Sequence, residues 1–414
     1  MFFPVARRTA PVTPMRAHRA RLPFPVLALV AFIALAAAIA LATAVAGSAD
    51  ARLSGYWNLP LAPQGDAPAA WSDPERALAP EACGQCHAEK LAEWRTSLHA
   101  RAFSPGLVGQ LLTYDPAQTA ACMECHAPLA EQRDAFEQAR RRGNAHLPAG
   151  QGLAAAGNSC AGCHLRGHRR HGPPQRVTGT AGQSDEAGPH GGVYRTAYFE
   201  DSAFCSACHQ FPQESAINGK PLQNTFAEWQ ASPQAARGIA CQGCHMPDRR
   251  HLWRGIHDPD MVTSGLTADV RQTADGIRFA LTNSGVGHAF PTYVTPRVEM
   301  RAVALDGDGR PVPETAVRHV IQRVVAWTGE AWTERSDTRL LPGETATLLF
   351  RWQGYGRARV WLEVWPDDYY DRQVYDGLLT GMDAGSIPAQ LIAEADRAAR
   401  TSNYSLFVTE ATKP

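Results

Sequence analysis

The sequence predicts an α+β protein in two parts: a mainly helical and loop-rich segment, followed by an antiparallel β-sandwich-like domain. Five short cysteine-containing pentapeptides recur between residues 83 and 245, and together they use all ten cysteines of the chain. Beyond them cysteine disappears, and short segments of alternating polar and apolar residues follow, separated by turn residues. Alternation at that spacing is typical of antiparallel sheets.

All five pentapeptides have the form Cys-x-x-Cys-His: 83–87, 122–126, 160–164, 205–209 and 241–245. This is the attachment pattern of c-type haem, in which two thiols add to the porphyrin and the next histidine ligates the iron. Zinc knuckles and disulfides are the alternatives. Zinc sites give no reason for a histidine after every pair, and a disulfide scaffold would not repeat one pentapeptide. The sequence therefore predicts five covalently bound haem c groups, with their iron, as cofactors. These haems, rather than aliphatic side chains, are expected to fill the interior of the first part.

Each motif supplies two attachment cysteines and one proximal iron ligand. The predicted attachment residues are Cys83, Cys86, Cys122, Cys125, Cys160, Cys163, Cys205, Cys208, Cys241 and Cys244. The predicted proximal ligands are His87, His126, His164, His209 and His245.

The second axial position of each iron decides its chemistry, because a second strong ligand closes the iron and an empty site admits a small molecule. Beyond the first 46 residues and outside the motifs there are nine more histidines, whereas methionines are few. We therefore expect mostly bis-histidine ligation. The predicted distal ligands are His99, His190, His251, His257 and His288. One iron could remain open.

The other four histidines are weaker candidates for distal ligands. His168 and His171 lie in an arginine-rich run and are expected to flank haem propionates. His146 and His319 are expected to be ordinary loop and strand residues.

The N-terminus predicts export. Residues 1–23 hold five arginines and no acidic residue, and Phe24–Ala46 are uncharged and almost wholly apolar. Basic residues before such a span predict a cytoplasmic N-terminus and a chain that continues on the periplasmic side, exported unfolded by Sec. The span is long enough to anchor the chain in the inner membrane, yet Ala44–Ala46 before Gly47 also fits a signal-peptidase site. A membrane anchor and a cleaved signal that leaves a soluble protein both remain open.

The charge balance argues against nucleic-acid binding. The first 46 residues contain five of the 40 basic side chains and no acidic ones. The rest of the chain therefore has 35 basic and 40 acidic side chains, a formal net charge of −5. A mildly acidic exported protein follows.

Composition divides the chain into four segments. They are a signal peptide or anchor (1–47), a Pro/Ala-rich linker (48–80), a pentahaem domain (81–262) and a β-sandwich-like domain with C-terminal helices (263–414). Within them the pattern predicts helices at 88–101, 128–142, 368–379 and 387–400. It predicts strands at 277–282, 297–304, 317–327, 345–352, 358–364 and 404–409.

A local repeat lies inside the predicted haem domain. The segment 92–100 reads Ala-Glu-Trp-x-x-Ser-x-His-Ala, and 227–235 reads the same with Gln234 in place of His99. Two similar helices with a buried tryptophan would explain it. Alternatively, His99 of the first copy ligates an iron, and the second copy, with Gln234 at this position, no longer supplies a ligand.

The residues carry a family resemblance. The segment Glu93–His99, the run Cys241–Pro247 with its trailing histidines, and the segment Gly287–Thr292 resemble the multihaem cytochromes grouped around tetrahaem cytochrome c-554, the electron acceptor of hydroxylamine oxidoreductase. The resemblance spans about residues 80–300 and implies closely stacked haems that conduct electrons. The chain departs from the pattern in having five motifs and an added C-terminal β domain. It also lacks the Cys-x-x-Cys-Lys motif of pentahaem nitrite reductases.

Two functions are expected to compete. The leading hypothesis is an electron carrier with a donor and an acceptor that are quinol-linked or enzyme-linked. The rival is a haem oxidoreductase that acts on a small nitrogen or sulfur compound at one open iron. A structural or sensing subunit of a larger membrane complex is a third hypothesis.

Overall fold

The computed structural model describes residues 55–142, 152–176, 182–183 and 188–414. The predicted signal or anchor of residues 1–47 lies outside these ranges, as do residues 48–54 of the predicted linker and His146. None of the helices in the described ranges is long and apolar enough to cross a bilayer. Residues Tyr56–Pro414 make up one compact unit.

Short helices joined by loops build the first part of this unit. They are α1 (Asp73–Arg76), α2 (Pro80–Gly84), α3 (Ala88–Arg95), α4 (Pro105–Leu111), α5 (Pro116–His126), α6 (Ala130–Arg141), α7 (Cys160–His164), α8 (Ala203–His209), α9 (Thr225–Gln230), α10 (Pro233–Ala236), α11 (Cys241–His245) and α12 (Pro259–Gly265). Single 3₁₀ turns occur at Ala154–Ala156, Pro189–Gly191, Ala197–Glu200, Gln213–Ser215 and Pro247–Arg249. Local signals start several of these helices: Asp115 accepts the N–H groups of Ala117 and Gln118 at the start of α5. The helix predicted at 88–101 ends at Arg95, and the one predicted at 128–142 is α6.

A small sheet lies within this helical part. Its strands are β1 (Leu165–Arg166), β2 (Arg169–Gly172), β3 (Gly182–Gln183) and β4 (Tyr194–Arg195), in the order β1-β2-β4-β3. It folds the chain back on itself directly after the third motif, which ends at His164.

Nine strands follow in the C-terminal part. They are β5 (Leu266–Gln272), β6 (Gly276–Asn283), β7 (Arg297–Leu305), β8 (Val317–Ile321), β9 (Arg323–Trp327), β10 (Trp332–Asp337), β11 (Thr345–Arg351), β12 (Arg357–Trp365) and β13 (Tyr404–Thr412). They form antiparallel sheets in the orders β11-β6-β5, β13-β12-β7-β8 and β10-β9. One hydrophobic core joins the first two of these sheets, with Phe279 and Phe350 from one and Met300 and Leu362 from the other. The predicted α+β class, with its antiparallel sheets, is confirmed.

Two strand predictions differ from the structure. The predicted strand 317–327 is two strands, because the chain leaves one sheet at Gln322 and β9 pairs with β10 instead. Strands β5 and β10 were not predicted. Polar and charged residues dominate β10. Strand β5 reads Leu-Thr-Ala-Asp-Val-Arg-Gln and does alternate, so its signal was present in the sequence but missed. The predicted domain boundary between 262 and 263 stays a prediction. It falls inside α12, where Val262 already packs in the sandwich core.

The C-terminal helices return to the helical part. A π-helical turn at Tyr370–Tyr375 leads into α13 (Asp376–Thr380), and α14 (Ile387–Arg400) follows. Earlier in the sandwich, a 3₁₀ turn at Pro313–Thr315 lies between β7 and β8. Helix α14 crosses α4 closely, since a Cβ atom on Gly109 would stand 2.6 Å from Cγ1 of Ile392. The glycine therefore permits this packing.

Residues 56–80, predicted as linker, pack against the third motif. The Tyr56 hydroxyl donates to the Cys163 carbonyl at 2.7 Å, and Leu61 is buried with Leu129 and Leu165. The proline and alanine content of this stretch suggested a tether, but the buried side chains of Tyr56 and Leu61 fasten it, while most of its other residues are exposed or half-buried.

A charged cluster fastens the loop before α9 to the sandwich. Asp337 accepts hydrogen bonds from Lys220 at 2.6 Å and from Arg339 at 2.9 Å. Arg339 in turn bonds Glu228 of α9 at 3.1 Å. Burial would raise the pKa of Asp337, but the bonds from Arg339 and Lys220 outweigh it and hold the pKa well below its usual value.

We expect Asp337→Asn to destabilise the protein by roughly 1–3 kcal/mol at pH 7. A carboxylate with a depressed folded-state pKa stabilises above its unfolded-state pKa of 3.8 and loses that contribution as pH falls below it. The difference from wild type should therefore shrink between pH 4 and pH 2 in urea unfolding. Asp269→Asn, at a 43% exposed side chain, is the control and should change stability little at any pH. A pH-independent cost of Asp337→Asn would contradict the electrostatic explanation.

Candidate haem-binding site

The Cys-x-x-Cys-His motifs form or end short helices. Helices α7 and α11 consist of the third and fifth motifs, and α5 and α8 end at the histidines of the second and fourth. In the first motif, α2 ends after Cys83, and His87 precedes α3 as its N-cap. Residues three and four apart lie on one face of a helix, so each motif presents both thiols and the imidazole to the same side.

Backbone carbonyls orient three of the motif histidines. Nδ1 of His126 lies 2.8 Å from the Ala102 carbonyl oxygen, Nδ1 of His164 lies 2.7 Å from that of His171, and Nδ1 of His245 lies 2.7 Å from that of Arg254. An N–H at Nδ1 that donates to a carbonyl leaves the lone pair on Nε2 free to bind a metal. Nδ1 of His209 instead lies 2.9 Å from the Gln223 side-chain amide.

Three motif histidines each have a predicted distal histidine across from them. The ring-centre distances are 6.1 Å for His164–His251, 6.2 Å for His99–His209 and 6.3 Å for His245–His288. The partners are 87, 110 and 43 residues apart in sequence. Rings in direct face-to-face contact would lie closer, so each pair leaves room for an atom between the two imidazoles.

The electrostatic surroundings of His190 include His87 of the first motif. Nδ1 of His190 lies 3.1 Å from the Gly192 carbonyl oxygen, and its backbone φ of 48° is left-handed. Burial lowers the pKa of His190, and the charges of Arg170 and His87 lower it further. The charge of His87 also acts on His164, and within the described residues no ring contact joins His87 to His190, so this pairing stays a prediction.

His257 is arranged differently from the other distal candidates. Its Nε2 lies 3.0 Å from one carboxylate oxygen of Asp367 and 3.1 Å from the other. No ring contact joins His126 to another histidine within the described residues. The assignment of His257 as a distal ligand therefore stays a prediction. Within the described residues, the structure does not place His257 opposite His126.

The four weaker histidines fall into different surroundings. His168 is buried, with Nε2 2.9 Å from the Gly65 carbonyl oxygen, and His171 packs edge-on against Tyr56 and Tyr194. His319 lies half-buried in β8, and His146 lies outside the described residues.

Burial keeps the paired imidazoles uncharged. It lowers the pKa of His99 to about 3, and the pKa of His209, His251 and His288 to about 4. In each case the charge of neighbouring histidines lowers the pKa further. Neutral imidazole is the form that ligates a metal, so these side chains are ready to bind at neutral pH.

Cysteines of different motifs lie close enough to influence one another. The interacting pairs are Cys83 with Cys160 (first and third motifs), Cys125 with Cys208 (second and fourth) and Cys205 with Cys241 (fourth and fifth). The charge of Cys163 also acts on both cysteines of the fourth motif. Through these cysteines the motifs connect in the order first, third, fourth, fifth, and the second joins the fourth beside this path. The second motif also lies near the third, since Asn158 Nδ2 donates to the Cys125 carbonyl at 2.7 Å.

The residues present fit covalently bound haem. A cavity of about 380 Å³ adjoins the fifth motif, lined by Cys244 and His245 and by Leu252 and Met261. Within the described ranges, no group of three or more His, Cys, Asp or Glu side chains is placed to hold a metal ion.

Comparison with models of known protein families finds one match within the haem-binding part of the chain. Residues 82–164, which contain the first three motifs, match the family model described as cytochrome c554 and c-prime. Over these residues the chain is a c-type cytochrome of the c554 type. This match supports haem c and its iron as cofactors, and electron transport as the activity.

The cytochrome is also similar to a solved structure, "Crystal structure of a penta-heme cytochrome c552 from Thermochromatium tepidum". The TM-score is 0.56 at 18% sequence identity, over 82% of this chain and 100% of that one. At this identity the likeness is one of fold. Comparison with curated protein sequences finds no match.

Sequence reasoning missed the groups around the ligands of the cytochrome. The carbonyls of Ala102 and Arg254 carry no signal in sequence, because any residue supplies a carbonyl. Three glutamates, Glu75, Glu93 and Glu228, accept backbone N–H groups at the distal-histidine segments. Two of them occupy the same position of the internal repeat, which was the available signal.

Proposed function

We propose that the cytochrome is a periplasmic electron carrier with five haem c groups, most of them ligated by two histidines. The three ring-centre distances of 6.1 to 6.3 Å carry this proposal. Two imidazoles on opposite sides of one metal ion, each bonded at about 2 Å, have ring centres roughly 6 Å apart. The proposed pairs are His164 with His251, His209 with His99, and His245 with His288.

His87 with His190 is the fourth proposed pair. It rests on the electrostatic influence of His87 on His190 and on the Nδ1 contact to Gly192. As in the pairs of His164 with His251 and of His245 with His288, a carbonyl beside Nδ1 leaves Nε2 free. Haem c supplies one-electron exchange when bound, and two histidine ligands keep small molecules off the iron.

The order of the motifs supports a path across the protein. Cys86 of the first motif and Cys244 of the fifth are the two exposed cysteines, and the other eight are partly buried. The series first, third, fourth, fifth therefore runs between two motifs that reach the surface. We propose that the donor and the acceptor dock at these two ends.

Location and partners are part of the same proposal. Multihaem c-type cytochromes are typically exported, and the basic, apolar N-terminus fits delivery to the periplasmic side by Sec. The mass of the mature protein will show whether Phe24–Ala46 is retained as an inner-membrane anchor. A quinol-linked or enzyme-linked redox protein is the proposed kind of partner.

One observation favours the rival function. Within the described residues His126 has no histidine across from it, while Nε2 of His257 is held by Asp367. An open iron at the second motif would allow chemistry on a small nitrogen or sulfur compound, such as nitrite or hydroxylamine. In the series of motifs this iron lies on a branch, which fits a site fed with electrons from the main path.

Haem content and spin state test the proposal. The purified protein is expected to have a mass with five haems, and the oxidised protein to show low-spin signals for at least four irons in electron paramagnetic resonance. After reduction, carbon monoxide should bind at most one haem. Fewer than five haems, or carbon monoxide binding at several, would overturn the carrier. Binding at one haem together with turnover of nitrite or hydroxylamine would establish the rival.

A further inference from the structure

The internal repeat adopts the same local structure twice. Trp94 Nε1 donates to the Asn158 carbonyl at 2.8 Å, and Trp229 Nε1 donates to the Ile239 carbonyl at 3.0 Å. The repeated serines each accept the N–H three residues later, at 3.3 Å for Ser97 and 3.2 Å for Ser232. The repeat is thus a structural unit whose other positions can be compared directly.

In both copies the repeated glutamate accepts a backbone N–H from a segment that contains a predicted distal histidine. Oε2 of Glu93 accepts the His251 backbone N–H at 2.8 Å. Oε2 of Glu228 accepts the backbone N–H of Ala289, directly after His288, at 3.1 Å. Their side chains are only 6% and 7% exposed. Each copy therefore holds the backbone of a distal histidine that belongs to another part of the chain.

An arginine neutralises each glutamate through its other oxygen. Arg250 donates to Oε1 of Glu93 at 2.8 Å, and Arg339 donates to Oε1 of Glu228 at 3.1 Å. A buried carboxylate without such a partner would be costly. The pairing leaves Oε2 of each glutamate directed toward the backbone N–H, and Oε2 of Glu93 also accepts a hydrogen bond from Lys90 at 3.1 Å.

Glu75 repeats the contact outside the repeat. Its Oε1 accepts the His190 backbone N–H at 2.7 Å, where His190 adopts its left-handed conformation. Three of the four proposed distal ligands thus have a glutamate on the backbone N–H of the histidine or of the next residue. The fourth, His99, lies inside the first copy of the repeat.

The difference between the copies at His99 and Gln234 fits this arrangement. Gln234 Nε2 donates to the Gly285 carbonyl at 3.2 Å, three residues before His288. A Cβ on Gly287 would stand 3.2 Å from Cβ of Gln234 and 3.3 Å from Cδ1 of Trp229. The second copy therefore surrounds the segment that carries His288, whereas the first copy contributes a histidine of its own.

We infer that Glu93 and Glu228 are positioning residues that hold His251 and His288 in the orientation required for iron ligation. This rests on the proposed bis-histidine function. The hydrogen bond to the backbone sets where the histidine Cα stands, and a displacement of about 1 Å at a ligand-bearing segment is enough to weaken a metal bond. Each glutamate serves a different haem: Glu93 the third, Glu228 the fifth.

Spin state is the measurement that tests the inference. We expect Glu93→Ala and Glu228→Ala each to create one high-spin haem, which binds carbon monoxide after reduction, where wild type shows none at these two sites. Glu228→Gln keeps an acceptor oxygen and should restore the low-spin signal. Glu363→Ala is the control, because Glu363 is 8% exposed but bonds only Trp361, Asn403 and Ser405 within the described sandwich.

Double variants assign the effect to a site. Glu228→Ala added to His288→Ala should give no further high-spin haem, since both act on one iron, whereas Glu93→Ala added to His288→Ala should give two. Low-spin irons in both alanine variants, or the same loss in Glu363→Ala, would overturn the inference. If Glu228→Ala does not accumulate, a high-spin fifth haem in Glu228→Gln overturns it and a low-spin one supports it. Wild type without low-spin bis-histidine signals would instead overturn the proposed function.

Discussion

Replacing His288 with alanine is expected to open the haem of the fifth motif and to loosen the sandwich from the haem-binding part. His288 lies in the loop after β6, across from His245 at a ring-centre distance of 6.3 Å. Without it the iron keeps a single protein ligand and should turn high-spin and bind carbon monoxide. Because a ligand bond between two parts of the fold is lost, the free energy of unfolding should fall by roughly 2–4 kcal/mol.

Two further substitutions separate the spin change from the stability change. His288→Met offers a thioether in place of the imidazole and should keep the iron low-spin while raising its reduction potential. His319→Ala removes a histidine from β8 of the same sandwich and should change neither spin state nor carbon monoxide binding. A low-spin fifth haem in His288→Ala would show that His288 does not ligate iron.

How far the sequence predicts this site depends on how local each contact is. Cysteines and proximal histidine lie within five residues, so His245 and its neighbours are evident from the motif alone. The pairing of His99 with His209 spans 110 residues and depends on how several helices pack. The histidine inventory predicted that His99 is a distal candidate, but nothing in the sequence joins it to the fourth motif.

The same distinction holds for the fold. Strands such as β11 and β12 were predicted because one face is more buried in the sandwich than the other, which leaves alternation in the sequence. Strand β10 reads Trp-Thr-Glu-Arg-Ser-Asp and pairs only with β9, so little burial shaped its pattern. The packing of Tyr56 against the third motif was likewise missed, since one aromatic side chain in a proline-rich stretch leaves no period.

Removing the thiols of the third motif is expected to interrupt electron flow between the two ends of the protein. The first motif contacts the rest of the series through the Cys83–Cys160 pair, and the third reaches the fourth through Cys163. Cys160→Ala combined with Cys163→Ala should yield a protein with one haem fewer by mass. An electron placed at the first haem should then stay there.

The second motif provides a matched control, because it branches from the fourth and lies outside the path from first to fifth. Cys122→Ala combined with Cys125→Ala also removes one haem, yet end-to-end transfer should remain. To follow the electron, a ruthenium photoreductant is bound at Glu89→His beside the first motif, where Glu89 is 80% exposed. The His288→Met substitution supplies a higher-potential fifth haem as the reporter.

Transient absorption after a light flash then separates two descriptions of the cytochrome. If the motifs work as a series, reduction of the fifth haem is fast in the parent and in the second-motif variant, and is lost in the third-motif variant. If electrons instead cross between any two haems of the cluster, both variants slow it alike. Equal behaviour of the two variants would refute the series, because they differ only in whether the missing haem lies on the path or beside it.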